Sequence, residues 1–161
     1  MKKLDRQSFL ERINRWESLA GYDCRGIDLS GEVLSNVNLR GTNFSNASMT
    51  GTSFQNSDLR QTDFSRAELT YANLRYTVLD GTVLKDANLN YASLAHCTLR
   101  DAQLHGASFV EADLFCIDCS GADFTGCNLH KANVEKATFR NARGMTEEMI
   151  TYIKANGGIL D

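Results

Sequence analysis

The chain has 161 residues, enough for one domain, and its 17 Lys and Arg against 20 Asp and Glu give a net charge of −3. No run of like charge points to direct nucleic-acid binding or to a disordered tail. No apolar stretch reaches the roughly 18 residues needed to span a membrane, so no membrane insertion is expected.

Residues 1–21 read as an N-terminal helical cap with a helix over 5–20. Asp5 suits the N-cap, Leu4 and Phe9 stand at staple spacing, and Gly21 sits past the end. Phe9, Ile13, Trp16 and Ala20 share one helical face. The opening Met1-Lys2-Lys3 is broken by Asp5 and Arg6 before any apolar run forms. That is wrong for a secretory leader, and a cytoplasmic chain is expected. The segment carries five Lys or Arg against three Asp or Glu.

Over residues 22–143 the chain changes character. Every fifth residue from Leu29 to Phe139 is large and apolar, Cys119 excepted; the 23 positions hold fourteen Leu, six Phe, Met49, Val134 and Cys119. A smaller residue stands two before each, as in Ala47, Thr52, Ala67 and Ala112, and a polar one usually lies between, as in Ala72-Asn73-Leu74. Neither the 3.6 period of a helix nor the 2.0 period of a strand gives this spacing; it is an internal repeat. Proline, which would remove a ladder donor, is absent.

The unit A-(D/N)-(L/F)-x-x resembles the pentapeptide-repeat family, whose members are abundant in cyanobacteria. The resemblance implies an all-β solenoid, a right-handed quadrilateral parallel β-helix. Each pentapeptide forms one side and four make a coil, with the large residue and the small one before it pointing inward. Counted from Cys24 to Phe139 the chain has 24 units, or six coils, about 29 Å of rod at ~4.8 Å per coil.

Residues 144–161 read as a C-terminal helical cap. Thr146 with Glu147 and Glu148 suits a helix start, Asn156-Gly157-Gly158 a stop, and Ile159-Leu160 a return onto the last coil. Caps are expected because a solenoid exposes apolar edges at both ends. The alternative role is that Trp16 or Tyr152 anchors a partner.

Five cysteines raise the question of metal or disulfides. In the repeat register Cys24 and Cys119 fall at large inward positions and Cys97 and Cys127 at small ones. These read as core thiols. Cys116 and Cys119 have redox spacing, yet face opposite sides of the wall. No bound metal, disulfide or cofactor is expected, and unpaired thiols fit a reducing compartment. Glu32 breaks the register at a small inward position, where an unpaired carboxylate would be costly.

No catalytic constellation emerges when the chain is stacked at twenty residues per coil. His96, His105 and His130 fall on different sides, and no phosphate loop or nucleophile motif is present. An enzyme is not expected. Two outward stacks stand above background. Tyr71 and Tyr91 lie on one side, and around the corner come Tyr76, His96 and Cys116 with Phe115 and Arg75; they read either as a protein-binding patch or as wall-stabilising ladders. Arg40, Arg60, Arg100 and Arg140, interrupted by Asp80 and Ser120, form a basic stripe suited to an acidic partner or to solubility.

The expected function is a non-catalytic protein-binding or scaffold rod, monomeric, with an unidentified protein partner. The resemblance also implies an alternative, because some family members mimic DNA, bind gyrase and confer quinolone resistance. Those are typically acidic dimers joined through exposed C-terminal coils. Here the coils carry only 11 Lys or Arg against 14 Asp or Glu, and a helix is expected over that end.

Overall fold

The computed structural model describes residues 2–161. Its backbone winds as a solenoid in which parallel bridges join residues twenty apart: Asp23 to Asn43, Asn43 to Asp63, and onward to Asp123 with Arg143. Each five-residue side is fastened to the next coil by backbone bonds. Leu29 N–H donates to the Ser48 carbonyl at 2.8 Å, Ser48 N–H donates to that of Ile27 at 2.9 Å, and Gly31 N–H donates to that of Thr50 at 2.9 Å.

A tight turn ends each side. Ile27 N–H returns to the Cys24 carbonyl at 3.2 Å, and Gly26 between them has φ +68°. The residue two after the large inward one has positive φ at every such position from Gly21 to Asn141, between 54° and 74°. Turns of this kind favour Gly or Asn at that place, which is why Gly26, Gly31, Asn36, Gly41 and Asn46 stand there. The polar residue before the large one serves the same corner: Asn43 Oδ1 accepts from Ser45 N–H at 2.9 Å, and Asp63 Oδ1 accepts from Ser65 N–H at 2.9 Å.

The interior is closed and apolar. Phe44 stacks on Phe64 with centroids 5.6 Å apart, and Phe54 meets Phe64 edge-on at 6.2 Å. The small inward residues are buried too, and the polar ones find carbonyls. Thr52 Oγ1 donates to Leu29 O at 2.7 Å and Thr62 Oγ1 to Leu39 O at 3.1 Å. Cys97 and Cys127 make the same bond, their Sγ donating to Leu74 O at 2.7 Å and to Leu104 O at 3.0 Å.

The N-terminal helix is shorter than the sequence suggested. α1 spans Arg6–Asn14, N-capped by Asp5, whose carboxylate accepts Ser8 N–H at 2.8 Å. It stops because the wall begins. Trp16 has φ +59° and occupies the corner register one coil before Asn36, and Leu19 N–H donates to Asn38 O at 3.2 Å. Leu19 is buried while Ala20, expected on the helix face, is exposed. Lys3 bridges Asp23 before the helix starts. α1 is therefore a helical detour within an incomplete coil. Because a helix lies above, the small inward positions of the first full coil hold larger residues: Tyr22, Ile27, Glu32 and Val37. Arg12 lies over the Tyr22 ring at 5.7 Å, and Arg6 of α1 pairs with Glu32, whose carboxylate thus reaches a rim cation instead of an apolar core.

α2 spans Glu147–Ala155 and is capped by Thr146, whose hydroxyl accepts Met149 N–H at 3.2 Å. It packs Ile153 into the core. The chain then returns to the ladder: Phe139 N–H donates to Ile159 O at 2.7 Å and Ile159 N–H to Ala137 O at 2.8 Å. Gly158 makes that return, since an added Cβ would lie 2.5 Å from Ile153 Cγ2.

Leu74 points inward and is buried, and Arg75 beside it points outward. Leu74→Asp should abolish cooperative thermal unfolding, since it buries a charge with no partner. Arg75→Ala should cost under about 1 kcal/mol, as for exposed ion pairs. Circular dichroism melts of the two proteins check the register, and equal losses would refute it.

Candidate functional site

Consecutive corners of the square bound one wall, and the aromatic residues stand on two such corners. One column runs Gly31, Gly51, Tyr71, Tyr91, Glu111, Lys131; the next runs Asn36, Asn56, Tyr76, His96, Cys116, Lys136. All have positive φ. Tyr71 and Tyr91 stack at 5.0 Å with planes 12° apart, and Tyr76 and His96 stack at 5.0 Å with planes 3° apart. Phe115, on the wall between the corners, meets His96 edge-on at 5.4 Å. Arg75 lies over Tyr76 at 5.6 Å and reaches Asp113 at 3.7 Å. All six proposed patch residues therefore stand on one wall and its two edges. Lys136 joins them, its Nζ 5.2 Å from the Phe115 ring centre. Only the three-dimensional stack gave it, because Lys136 lies far from Phe115 in sequence.

These rings occupy costly backbone. A bulky side chain at positive φ is an outlier, disfavoured by roughly 1–2 kcal/mol. Glycine fills the same corner at Gly31 and Gly51 without that cost. An aromatic pair returns roughly 0.5–1.5 kcal/mol. Stacking thus offsets only part of the strain of two left-handed rings.

The basic stripe is present as a column, and its guanidinium groups are engaged. Arg60 grips Asp58 with both arms at 2.9 and 2.6 Å, and Arg100 Nε donates to Asp118 at 2.7 Å. Arg40 reaches Gln61, and Arg140 Nε donates to the Asp161 carbonyl at 2.6 Å. The Arg60 bond holds the Asp58 carboxyl below its usual range.

The five cysteines are free thiols. Burial pushes Cys24 up to about 12, Cys97 to about 11 and Cys127 to about 12. Cys116 stands outside, on the corner after His96. Among the described residues no group of three His, Cys, Asp or Glu is placed to hold a metal ion. A groove of about 360 Å³ beside α2 is lined by Cys127, His130, Met149 and Tyr152. Its Cys127 thiol is bonded to Leu104 and hard to ionise, and the Tyr152 hydroxyl is spent on the Ala132 carbonyl at 2.8 Å.

Two outcomes are expected. Tyr71→Gly with Tyr91→Gly should shift stability by no more than about 1 kcal/mol, because released strain offsets lost stacking; chemical denaturation measures it. A thiol reagent at pH 8 should label one cysteine in the native protein, and Cys116→Ser should remove that reaction, since Cys24, Cys97 and Cys119 are buried and the half-buried Cys127 is held protonated with its Sγ bonded to Leu104 O.

The repeat itself is matched among known proteins. The family model for pentapeptide repeats matches in eight copies, over residues 18–56, 47–86, 77–115 and 116–143. A trypsin-treated variant of QnrB1, a plasmid-mediated fluoroquinolone resistance protein, is 21% identical, covering 99% of this chain and 85% of its own, with a TM-score of 0.53. A pentapeptide repeat protein of the Arabidopsis thaliana thylakoid lumen is 22% identical over 92% of this chain and 83% of its own, with a TM-score of 0.47. One from Nostoc is 31% identical over 62% of this chain and 84% of its own, with a TM-score of 0.39. No curated protein matches the chain.

Proposed function

The chain belongs to the pentapeptide-repeat family, and from that premise we propose that it is a non-catalytic protein-binding rod, its coils wound right-handed as in that family. The observation that carries the reading is the placement of the Tyr71, Tyr76, Tyr91 and His96 rings, exposed and stacked in pairs, on the two corner columns of one wall, where other corners carry mostly Gly, Asn or charged side chains. Large rings that remain exposed and clustered on one wall are accounted for by recognition better than by folding. Phe115 and Arg75 complete the patch. The rod presents these groups on a scaffold fastened coil to coil, so a partner meets them already ordered. A monomer in a reducing, cytoplasmic setting belongs to the same reading and rests on the five free thiols. Among the described residues no helix is long and apolar enough to cross a membrane.

Likeness to QnrB1 supports a shared fold and leaves its resistance role with that protein. Here α2 and Ile159 cover the C-terminal coil, and the rod's charge is close to balanced. A supercoiling assay should show no inhibition of gyrase at micromolar protein, because the strong acidic field of a DNA mimic is missing. Potent inhibition would move the function to the gyrase class.

Tyr91→Ser combined with Phe115→Ser tests the patch. The double variant should keep its melting temperature and lose the partner retained by wild type in affinity capture from native extract. An aromatic hot spot of this kind is worth about 2 kcal/mol or more. A variant that keeps the partner and melts earlier would make the rings wall packing.

A further inference from the structure

The exposed apolar side chains share one wall. Trp16, Val33, Tyr71, Tyr76 and Tyr91 are 80%, 76%, 61%, 48% and 44% exposed, and only Ile159, in the C-terminal cap, joins them among exposed large hydrophobics of the described residues. In the twenty-residue register Val33 stands on the wall above Ser53, Asn73 and Ser93, which the ladder joins in turn. Trp16 stands on the corner column of Asn36, Tyr76 and His96 and shares its positive φ. The apolar side chains thus stand on one wall at two levels, Trp16 and Val33 beside the N-terminal cap and the rings of Tyr71, Tyr76, Tyr91 and His96 below, with Asn36, Gly51, Ser53 and Asn56 between them. Between Tyr91 and His96 the floor is small, Ser93 and the buried Ala95; between Tyr71 and Tyr76 it carries Asn73 and Arg75, and Ser53 lies one coil above.

We propose that this wall binds one amphipathic α-helix of a partner protein, lying along the rod. The proposal rests on the protein-binding reading above and names the partner's shape. Four constraints select a helix. The wall is about 10 Å wide between corners and about 20–25 Å long, from strand rise and ~4.8 Å coil spacing. That footprint is far below the ~800 Å² per partner of a standard interface between globular proteins, and it fits a helix 10–12 Å across and about sixteen residues long.

Backbone pairing decides against an extended peptide. At the middle of the wall the N–H groups are used between coils: Ser53 N–H donates to Glu32 O, Asn73 N–H to Thr52 O, and Ser93 N–H to Ala72 O, each at 2.9 Å. A strand laid along the axis would find no backbone partners and would bury its own polar groups unpaired. A helix satisfies its own.

Charge decides against nucleic acid. The wall's ions are matched among themselves, as Arg75 with Asp113 at 3.7 Å, Lys131 with Glu111 at 3.6 Å and Lys136 with Glu135 at 3.7 Å. A second copy is disfavoured because the wall's charges, already matched within one rod, gain nothing from an identical wall.

The test is a display library of sixteen-residue peptides selected on the immobilised full chain. Enriched peptides should carry apolar residues at i, i+3, i+4 and i+7, the anchors of helix-in-groove binding. They should gain helical circular dichroism on binding. Ser93→Arg and Ser53→Arg, which fill the floor from outside, should keep the wild-type melting temperature and weaken binding at least about ten-fold. Enriched peptides of alternating pattern that gain no helix would overturn the helical partner and leave the protein-binding reading intact. Peptides indifferent to both floor variants, or no enrichment, would also overturn it. A wild-type dimer in sedimentation that Ser93→Arg separates would give the wall to a second copy. Retention of the cellular partner by the Tyr91 and Phe115 double variant is the separate failure of the broader reading.

Discussion

The left-handed corner is the constraint on which the molecule depends. One residue in five adopts positive φ, and the chain turns there before a strand can lengthen. Two inward and two outward positions remain between corners, so the identity of each residue is set by its distance from the turn. The twenty-residue coil follows from four such sides, and the parallel ladder follows from stacking the coils. Because each coil bonds chiefly to its neighbours, stability is shared along the rod. Both ends then require covering, and each is covered by a nine-residue helix whose flanks rejoin the ladder.

The inward register was legible because volume is hard to disguise. Leu and Phe in strict phase leave one place for the core, and Cys119 and Val134 betray themselves only by size. The end of α1 was obscured by a coincidence of periods. Phe9, Ile13, Trp16 and Ala20 match a helical face, while Leu19 also lies five before Cys24. Burial of Leu19 in the wall prevails, and the helix yields to a corner at Trp16. Glu32 looked anomalous because its partner, Arg6, lies on an element whose position no spacing reveals.

The aromatic patch was half legible. Stacking at twenty residues brings Tyr71 over Tyr91 and Tyr76 over His96, and both pairs are stacked. The strained backbone beneath them was hidden, since glycine advertises a left-handed corner and tyrosine conceals one. The link from Trp16 and Val33 to the same wall was hidden as well. It needs the corner register to run back through the cap, which only the positive φ of Trp16 discloses.

A wall whose backbone is already paired can recognise a partner only through side chains. In ordinary sheets the exposed edge is the adhesive part, and here the coils hide that edge by stacking upon it. Val33, at the top of the wall, has neither its N–H nor its carbonyl bonded among the described residues. Elsewhere the wall offers fixed rings, short polar groups and internally matched ions. Such a surface gives little long-range attraction and much shape, so discrimination must come from what fits between the aromatic corners. The coils hold that shape before any partner arrives, and the ordering cost of binding falls almost wholly on the partner. A partner element that is ordered by its own backbone bonds therefore gains most from this wall, and the helix is the element with that property.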